Sequence, residues 1–565
     1  MTTRRDTMYS EDIAGAGKCS VSVLQEGVTK LPPEVDKAGN VEYKTKLDNI
    51  TSTRATHLAT QLQWRLSEGD GYAIYVIGVH DDGDVVGITD EEFQSTIDTI
   101  KNMAQQLENT RIVSIEKRTV DSQGSRVVAE VHLSQKMPLP QTELRIAVLG
   151  DHGAGKSTVL GCITYNEEDD GRGKARLNLM RHQHELESGR TSSITLTAIG
   201  YSADGHVQNY ANNRSAEDIH QRSQRVVTFI DTCGHTKHLK TTARALTGYT
   251  PHVFCIVIPA DVTSISAATL EYVQIAAAFR APLMIVISKM DIADKTGFGI
   301  MMRHLMSALD ARLPNRSQCV VTESAAHQSL ADDIMKLNVV PIFTTSAVRT
   351  VGFSELVAVM GSLHPDLPDK RSADREPFEF HVEDLYSIDS VGSVVTGWVR
   401  SGTVSSSSNA QLAIGPDSAG SFTDIDITSI HALRIPTEAA MARMSASLAI
   451  QTRSAVAIQK GMVVVDARML ETAKRHIRTT FAATVTLLSG DIAANQDVII
   501  HIRAAYHLAT VVEIATDEAD QGSSGSCGKA TIELKLAESE YIAPGTPIVA
   551  RDGRSLIFAG HVALI

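Results

Sequence analysis

Arg145-Ile146-Ala147-Val148-Leu149-Gly150-Asp151-His152-Gly153-Ala154-Gly155-Lys156-Ser157-Thr158 decides the fold. An apolar run enters GxxxxGK[ST] in full, and an apolar helical pattern follows. That order predicts strand, glycine-rich loop and helix. The glycines let backbone N–H groups of Gly150, Asp151, Gly153, Ala154 and Gly155 wrap phosphate oxygens. The helix opening at Lys156, Ser157 and Thr158 points its positive end at them. Lys156 would reach the outer phosphates, and Ser157 would ligate Mg²⁺. A similar scrap, Gly15-Ala16-Gly17-Lys18, has Asp12 where a glycine is required and no strand before it, so it is read as a decoy.

Seventy-five residues after Lys156 (231 − 156), a second apolar run, Val226-Val227-Thr228-Phe229-Ile230, delivers Asp231-Thr232-Cys233-Gly234-His235. Ligands of open α/β sheets sit at such carboxyl ends. Asp231 is expected to hold Mg²⁺ and the Gly234 N–H to sense the terminal phosphate. His235 is expected to orient the attacking water, since phosphoryl transfer to water needs orientation more than deprotonation. A third strand ends in Ser288-Lys289-Met290-Asp291. A carboxylate there accepts both N–H groups of guanine, which adenine cannot supply, and the Lys289 stem can cover the base. Thr345-Ser346-Ala347 is expected to complete the base pocket. A mobile loop must add a hydroxyl to the metal, and Glu187-Ser188-Gly189-Arg190-Thr191-Ser192-Ser193 offers two. Counting from Arg190 slightly favours Ser193, whereas residue type favours Thr191.

Around these motifs, strands at Arg145–Leu149, Ile194–Tyr201, Val226–Ile230, Val253–Ile258, Leu283–Ile287 and Val339–Phe343 alternate with helical patterns. That predicts a doubly wound, mostly parallel α/β sheet over 144–363. Residues 1–40 read as a disordered tail and 41–136 as a separate α/β domain. In the latter, Thr89 and Glu92 form a capping box, and Leu58, Leu62 and Leu66 share a helix face. Proline-bearing linkers at 137–142 and 364–377 flank the central domain. Beyond 378, short alternating strands between Gly, Ser, Asp and Asn predict two β-barrels, 378–470 and 476–565.

The chain has 565 residues, a net charge of −13, and six scattered cysteines with no CxxC. This argues against a disulfide framework or structural zinc and suits a reducing cytosol. No apolar run is long enough to span a bilayer, and MTTRRDTMYSEDIAG carries no secretory core, so no membrane partner is expected. The acidic balance argues mildly against a free-standing nucleic-acid binder but leaves a local basic patch possible.

The set of motifs, with a histidine directly after DxxG and two barrels behind, resembles the translational, elongation-factor-like GTPases. Val391-Gly392-Ser393-Val394-Val395-Thr396-Gly397-Trp398 looks like part of that group's first barrel. The wording Asp170-Gly171-Arg172-Gly173-Lys174-Ala175-Arg176, the Ser-Lys-x-Asp form at 288–291, and the segments Glu42-Tyr43-Lys44 and Gln63-Trp64-Arg65-Leu66 resemble most closely the eukaryotic GTP-binding protein 1 and 2 family. The resemblance implies a cytosolic, monomeric GTP/GDP- and Mg²⁺-dependent switch acting at the ribosome. It also implies handling of aminoacyl-tRNA and links to stalled-ribosome relief and RNA-decay machinery. Arg172, Lys174, Arg176 and Arg181, or Lys474, Arg475 and Arg478, could meet RNA. Elongation factors usually have Val-Asp where this chain has His152-Gly153, which predicts slow or differently regulated hydrolysis. The competing expectations are a GTP-binding scaffold with little hydrolysis and an adenine-using P-loop kinase.

Overall fold

The computed structural model describes residues 30–563, less 34–38, 49, 70, 108–109, 121–125, 136–141, 181, 189–190, 323–325, 365–375, 390, 406–409, 438, 455, 489–491, 517–527 and 553–554. The decoy loop, most of the expected tail, nearly all of both linkers, Arg181 and Gly189-Arg190 therefore lie outside the described residues. Two compact units divide near Pro138.

The first unit is a four-stranded sheet ordered Val41–Lys44, Tyr72–Ile77, Val127–Ser134, Arg111–Thr119. Helices Ser52–Glu68 and Asp90–Gln105 bury Leu58, Leu62, Leu66, Phe93, Ile97 and Ile100 against it. The Thr89–Glu92 capping box is present in both directions. Glu42 and Arg65, from two separate segments, meet here: Arg65 Nε donates to Glu42 Oε2 at 2.6 Å, and both residues are buried. The expected structureless tail is corrected at its far end. Leu31 is buried with Tyr43, Ile74 and Val76, and its N–H donates to the Gly83 carbonyl at 2.8 Å, because an apolar side chain beside an open sheet face gains more by burial than by remaining in water.

The second unit contains the central sheet and both barrels. In spatial order the sheet runs Ser317–Val320, Val339–Thr344, Leu283–Ser288, Val253–Pro259, Thr142–Leu149, Arg225–Asp231, Thr195–Tyr201, Val207–Gln208. The first six strands are parallel, Thr195–Tyr201 runs against them, and Val207–Gln208 pairs antiparallel with Thr195–Tyr201. The central strands are buried on both faces, as the unbroken apolar runs require. The first barrel closes through Leu412–Gly415, Val463–Asp466, Glu379–Ile388, Gly392–Ser401, Ser445–Thr452 and Thr423–Ala432. A short helix, Leu470–Arg475, leads into the second, a closed six-stranded barrel from Ile477–Leu487 to Leu556–Val562.

The strand Thr142–Leu149 is also where the first barrel docks. Arg145 is buried between Glu143 and Glu383. Its guanidinium donates to Glu383, to Ser445 Oγ at 2.7 Å and to the Tyr249 carbonyl at 2.7 Å, and it lies 4.4 Å from the Trp398 ring. Glu143 accepts from the Ser445 N–H at 2.8 Å and from Thr228 Oγ1 at 2.8 Å. The second barrel places Val549, Leu556 and Ala559 in the sheet's own core. The helix Leu239–Gly248 reaches both barrels. Arg244 donates to Asp384 at 2.8 Å, Thr247 Oγ1 donates to the Arg503 carbonyl at 2.7 Å, and Lys240 lies over the Tyr506 ring.

The barrels meet at Glu379, which bonds His381 at 2.8 Å, Arg400 at 3.2 Å and the Tyr541 hydroxyl of the second barrel at 3.3 Å. Burial alone would push this carboxyl up; His381, Arg400 and Arg503 hold it instead at about 2, against an ordinary 4.5. A carboxyl depressed in the folded state contributes stability that is whole above the ordinary value and is lost as pH falls through the folded one. Glu379→Gln is therefore expected to cost roughly 3 kcal/mol near pH 6. That difference from wild type should shrink between pH 4.5 and 2, as measured by urea unfolding at a series of pH values.

Candidate nucleotide and metal site

Gly150, Gly153 and Gly155 have φ of 137°, 77° and 91°. A Cβ on Gly150 would lie 2.3 Å from the Val257 carbonyl oxygen, so only glycine fits where the loop leaves its strand. Gly153 lies at the open edge of the loop, with no neighbour within 4 Å of a Cβ position. Asp151 turns the loop by accepting the Ala154 N–H at 3.2 Å. Lys156 is buried, and its ammonium donates to the Gly150 and Asp151 carbonyls at 3.0 Å each. Burial pushes it below the ordinary range against the pull of Asp231, Cys233 and Asp151. Thr158, half-buried, sits in the first turn of the helix Lys156–Tyr165.

Ser157 Oγ donates to Asp231 Oδ2 at 2.7 Å and lies 2.9 Å from Thr191 Oγ1. Asp231 Oδ1 is buried without a partner, and burial pushes the carboxyl up to about 6. Two hydroxyls and a desolvated carboxylate with a spare oxygen form the hard oxygen set that suits Mg²⁺. Ser193 does not join them. Its N–H and Oγ donate to Glu185 Oε1 at 3.1 and 3.2 Å, as do those of Ser192 at 2.6 and 2.7 Å. A buried carboxylate from the helix Gln183–Ser188 takes these four donors and turns both serines toward itself.

Asp231 ends its strand, and Thr232 Oγ1 then donates to the Val148 carbonyl at 2.7 Å, stitching this turn to the phosphate-loop strand. Cys233 is buried with Sγ 3.7 Å from the Ser193 carbonyl, and burial pushes its thiol up to about 12. Gly234 packs tightly: a Cβ would sit 2.2 Å from Lys156 Nζ and 2.6 Å from the Asp151 carbonyl. His235 is half-buried. Its Nδ1 accepts the Lys237 N–H at 3.1 Å, which leaves the proton of the neutral ring on Nε2. Its ring centroid is 5.7 Å from that of His152.

At the other end of the loop, Ser288 Oγ donates to the Ala154 carbonyl at 2.6 Å. Ser288 therefore ties the base loop to the phosphate loop. Lys289 takes a left-handed φ of 59° and lies 3.6 Å from Asp261. Asp291 Oδ1 accepts from Ser346 Oγ at 2.7 Å, bringing together two predicted base contacts. The Ala347 carbonyl accepts the Asp169 N–H at 3.1 Å. Sequence reading missed Asp169, although Asp169-Asp170-Gly171 carries a turn signal. Its carboxylate accepts the N–H groups of Gly171, Gly173 and Ala175 at 3.0 to 3.2 Å and shapes a loop beside the base turn. Among the basic candidates, Lys174 and Lys474 are each paired locally, with Glu167 and Glu471.

Residues 141–366 match the Elongation factor Tu GTP binding domain. GTP-binding protein 2 of Homo sapiens is 36% identical over 534 residues, covering 93% of this chain and 86% of that protein. GTP-binding protein 1 of Xenopus laevis is 31% identical over 531 residues, covering 91% and 77%. The fold is similar to that of translation elongation factor SelB from Methanococcus maripaludis in complex with GppNHp, with TM-score 0.51, 15% identity, and 76% and 80% of the two chains covered. It is also similar to that of the S. cerevisiae Ski7 GTPase-like domain bound to GTP, with TM-score 0.54, 14% identity, and coverage of 75% and 98%. With its elongation-factor-type GTP-binding domain and similarity to those relatives over nine-tenths of its length, the chain belongs to the GTP-binding protein 1 and 2 family of GTPases.

Proposed function

We propose that this GTPase is a Mg²⁺-dependent switch that acts on ribosomes in the cytoplasm, contacting aminoacyl-tRNA or recruiting RNA-decay machinery. The observation that carries the metal-dependent reading is the convergence of Ser157, Thr191 and the unpartnered oxygen of buried Asp231. Mg²⁺, when bound, would neutralise charge on the phosphate oxygens. The remaining work falls to the chain. Lys156 exchanges its two carbonyl partners for phosphate oxygens, and the loop N–H groups hold the phosphates in place. Asp291 selects guanine with Ser346 holding its carboxylate, while Ser288 keeps that pocket in register with the phosphates. The His235 tautomer presents an Nε2–H donor, which orients a water rather than deprotonating it. The packing of Gly234 on Lys156 makes the turn sensitive to any movement of that lysine. The helix Leu239–Gly248 can pass the change to both barrels. No helix among the described residues is long and apolar enough to cross a membrane.

Phosphate release from GTP with and without ribosomes tests the reading. Wild-type turnover is expected to rise with ribosomes. His235→Ala is expected to lower the stimulated rate by about 10²- to 10³-fold while GTP affinity stays unchanged, since positioning acts on the reaction step. Turnover that ribosomes never raise would favour the scaffold instead.

Thr191→Ala should raise the Mg²⁺ concentration needed to retain a GTP analogue, and Ser193→Ala should leave it nearly unchanged. The reverse pattern in a magnesium titration would restore Ser193 to the metal.

Asp291→Asn should weaken GTP by at least about tenfold, since a charge-assisted bidentate acceptor is lost. It should improve binding of xanthosine triphosphate, whose base offers a carbonyl to the new amide. Equilibrium nucleotide competition reads both effects.

A further inference from the structure

We propose that a recess at the C-terminal end of the phosphate-loop helix binds an unpaired base of single-stranded RNA. The helix ends with Tyr165 and with Asn166 in the left-handed region at φ 51°. Tyr165 stacks on Tyr210, with centroids 4.8 Å and planes 17° apart. The loop carrying Tyr210 is fastened to the helix: its N–H donates to the Thr164 carbonyl at 2.9 Å, and Asn209 Nδ2 donates to the Ile163 carbonyl at 3.5 Å. Both rings are half-buried and line a recess of about 560 Å³ with Ala211, Asn212, Asn213 and Arg214.

Asn213 is only 7% exposed. Its Nδ2 donates to the Asn209 carbonyl at 2.9 Å and to Gln208 Oε1 at 3.3 Å. The Asn209 backbone carbonyl can only accept, which fixes that end of the amide as nitrogen. The oxygen is left buried with no donor, which is costly unless something supplies an N–H. Every nucleobase carries such a group on its pairing edge. Oδ1 is closed to solvent in this conformation, so the bond would form as a base seats and the exposed turn at Ala211-Asn212 gives way.

The Arg214 side chain is exposed and makes no ion pair among the described residues. The nearby Asp218 carboxylate is already spent on the N–H groups of Arg214 and Ser215 at the start of the next helix. An aromatic shelf, a buried acceptor and an unpaired guanidinium together fit a planar heterocycle with a phosphate attached. A peptide ring could stack there but would bring no phosphate for Arg214. Lys156 and Ser157 lie at the opposite end of this helix, so the inference does not rest on the hydrolytic reading.

The test uses the full chain and a short single-stranded RNA carrying thiouridine. Photocrosslinks are expected at Tyr165 or Tyr210. Tyr210→Leu should weaken RNA binding about tenfold with GTP binding unchanged, and Tyr210→Phe should retain it. Arg214→Glu, at an exposed position, should weaken RNA binding even if the tyrosine variant folds poorly. RNA that fails to bind the wild type, crosslinks confined to other surfaces with both weakening variants binding normally, or free mononucleotides competing as well as the oligomer would each overturn the proposal.

Discussion

Arg145, Glu143 and Glu383 leave water together, and three charges withdrawn from solvent must satisfy one another and their neighbours fully. They do so with Ser445, Thr228, the Tyr249 carbonyl and the face of Trp398. Such a set adds little net stability compared with apolar packing, but removing one member leaves the others stranded, at a cost of about 3–5 kcal/mol. Its position explains its importance. The strand that carries Glu143 and Arg145 runs directly into Gly150. The docking of the first barrel and the start of the phosphate loop are thus two ends of one eight-residue element.

The nucleotide site inherits that rigidity. Val257 and Gly150 touch closely enough to exclude any side chain, Thr232 stitches the turn after Asp231 to Val148, and Ser288 stitches the base loop to Ala154. The candidate phosphate, metal and base contacts therefore lie at the carboxyl ends of the parallel strands Thr142–Leu149, Arg225–Asp231 and Leu283–Ser288, with Val253–Pro259 between the first and the last. Outside this frame lie the helix Gln183–Ser188, whose Glu185 gathers Ser192 and Ser193, and the turn at Gly234-His235. The helix after that turn bonds both barrels, so a displacement of it is shared between them.

Much of this was legible in the chain because it rests on local patterns. Apolar runs gave the central strands, and glycine, lysine and hydroxyl spacing gave the loop. Three strand ends placed Asp231, Asp291 and Ser346 where the fold brings them. What escaped depended on tertiary partners. Nothing near Ser193 announces that Glu185 will claim its hydroxyl. Ser317–Val320, an exposed edge strand of sequence SQCV, has no apolar alternation to betray it. The bond from Ser288 to Ala154 spans 134 positions, so residue type alone could not show that this serine bridges the two loops. Leu31 looked like part of a polar tail because a single apolar residue has no period.

Cys233 brings a different consequence. Its thiol sits between the turn at Gly234-His235 and the Ser193 carbonyl, shut away from water. Reactivity belongs to the thiolate, so a sulfhydryl held near 12 resists oxidants and alkylating agents while the pocket stays closed. Placed where the turn at Gly234-His235 meets the Ser193 backbone, it would become modifiable only during excursions that part the two. Its alkylation rate would then time the breathing of that turn.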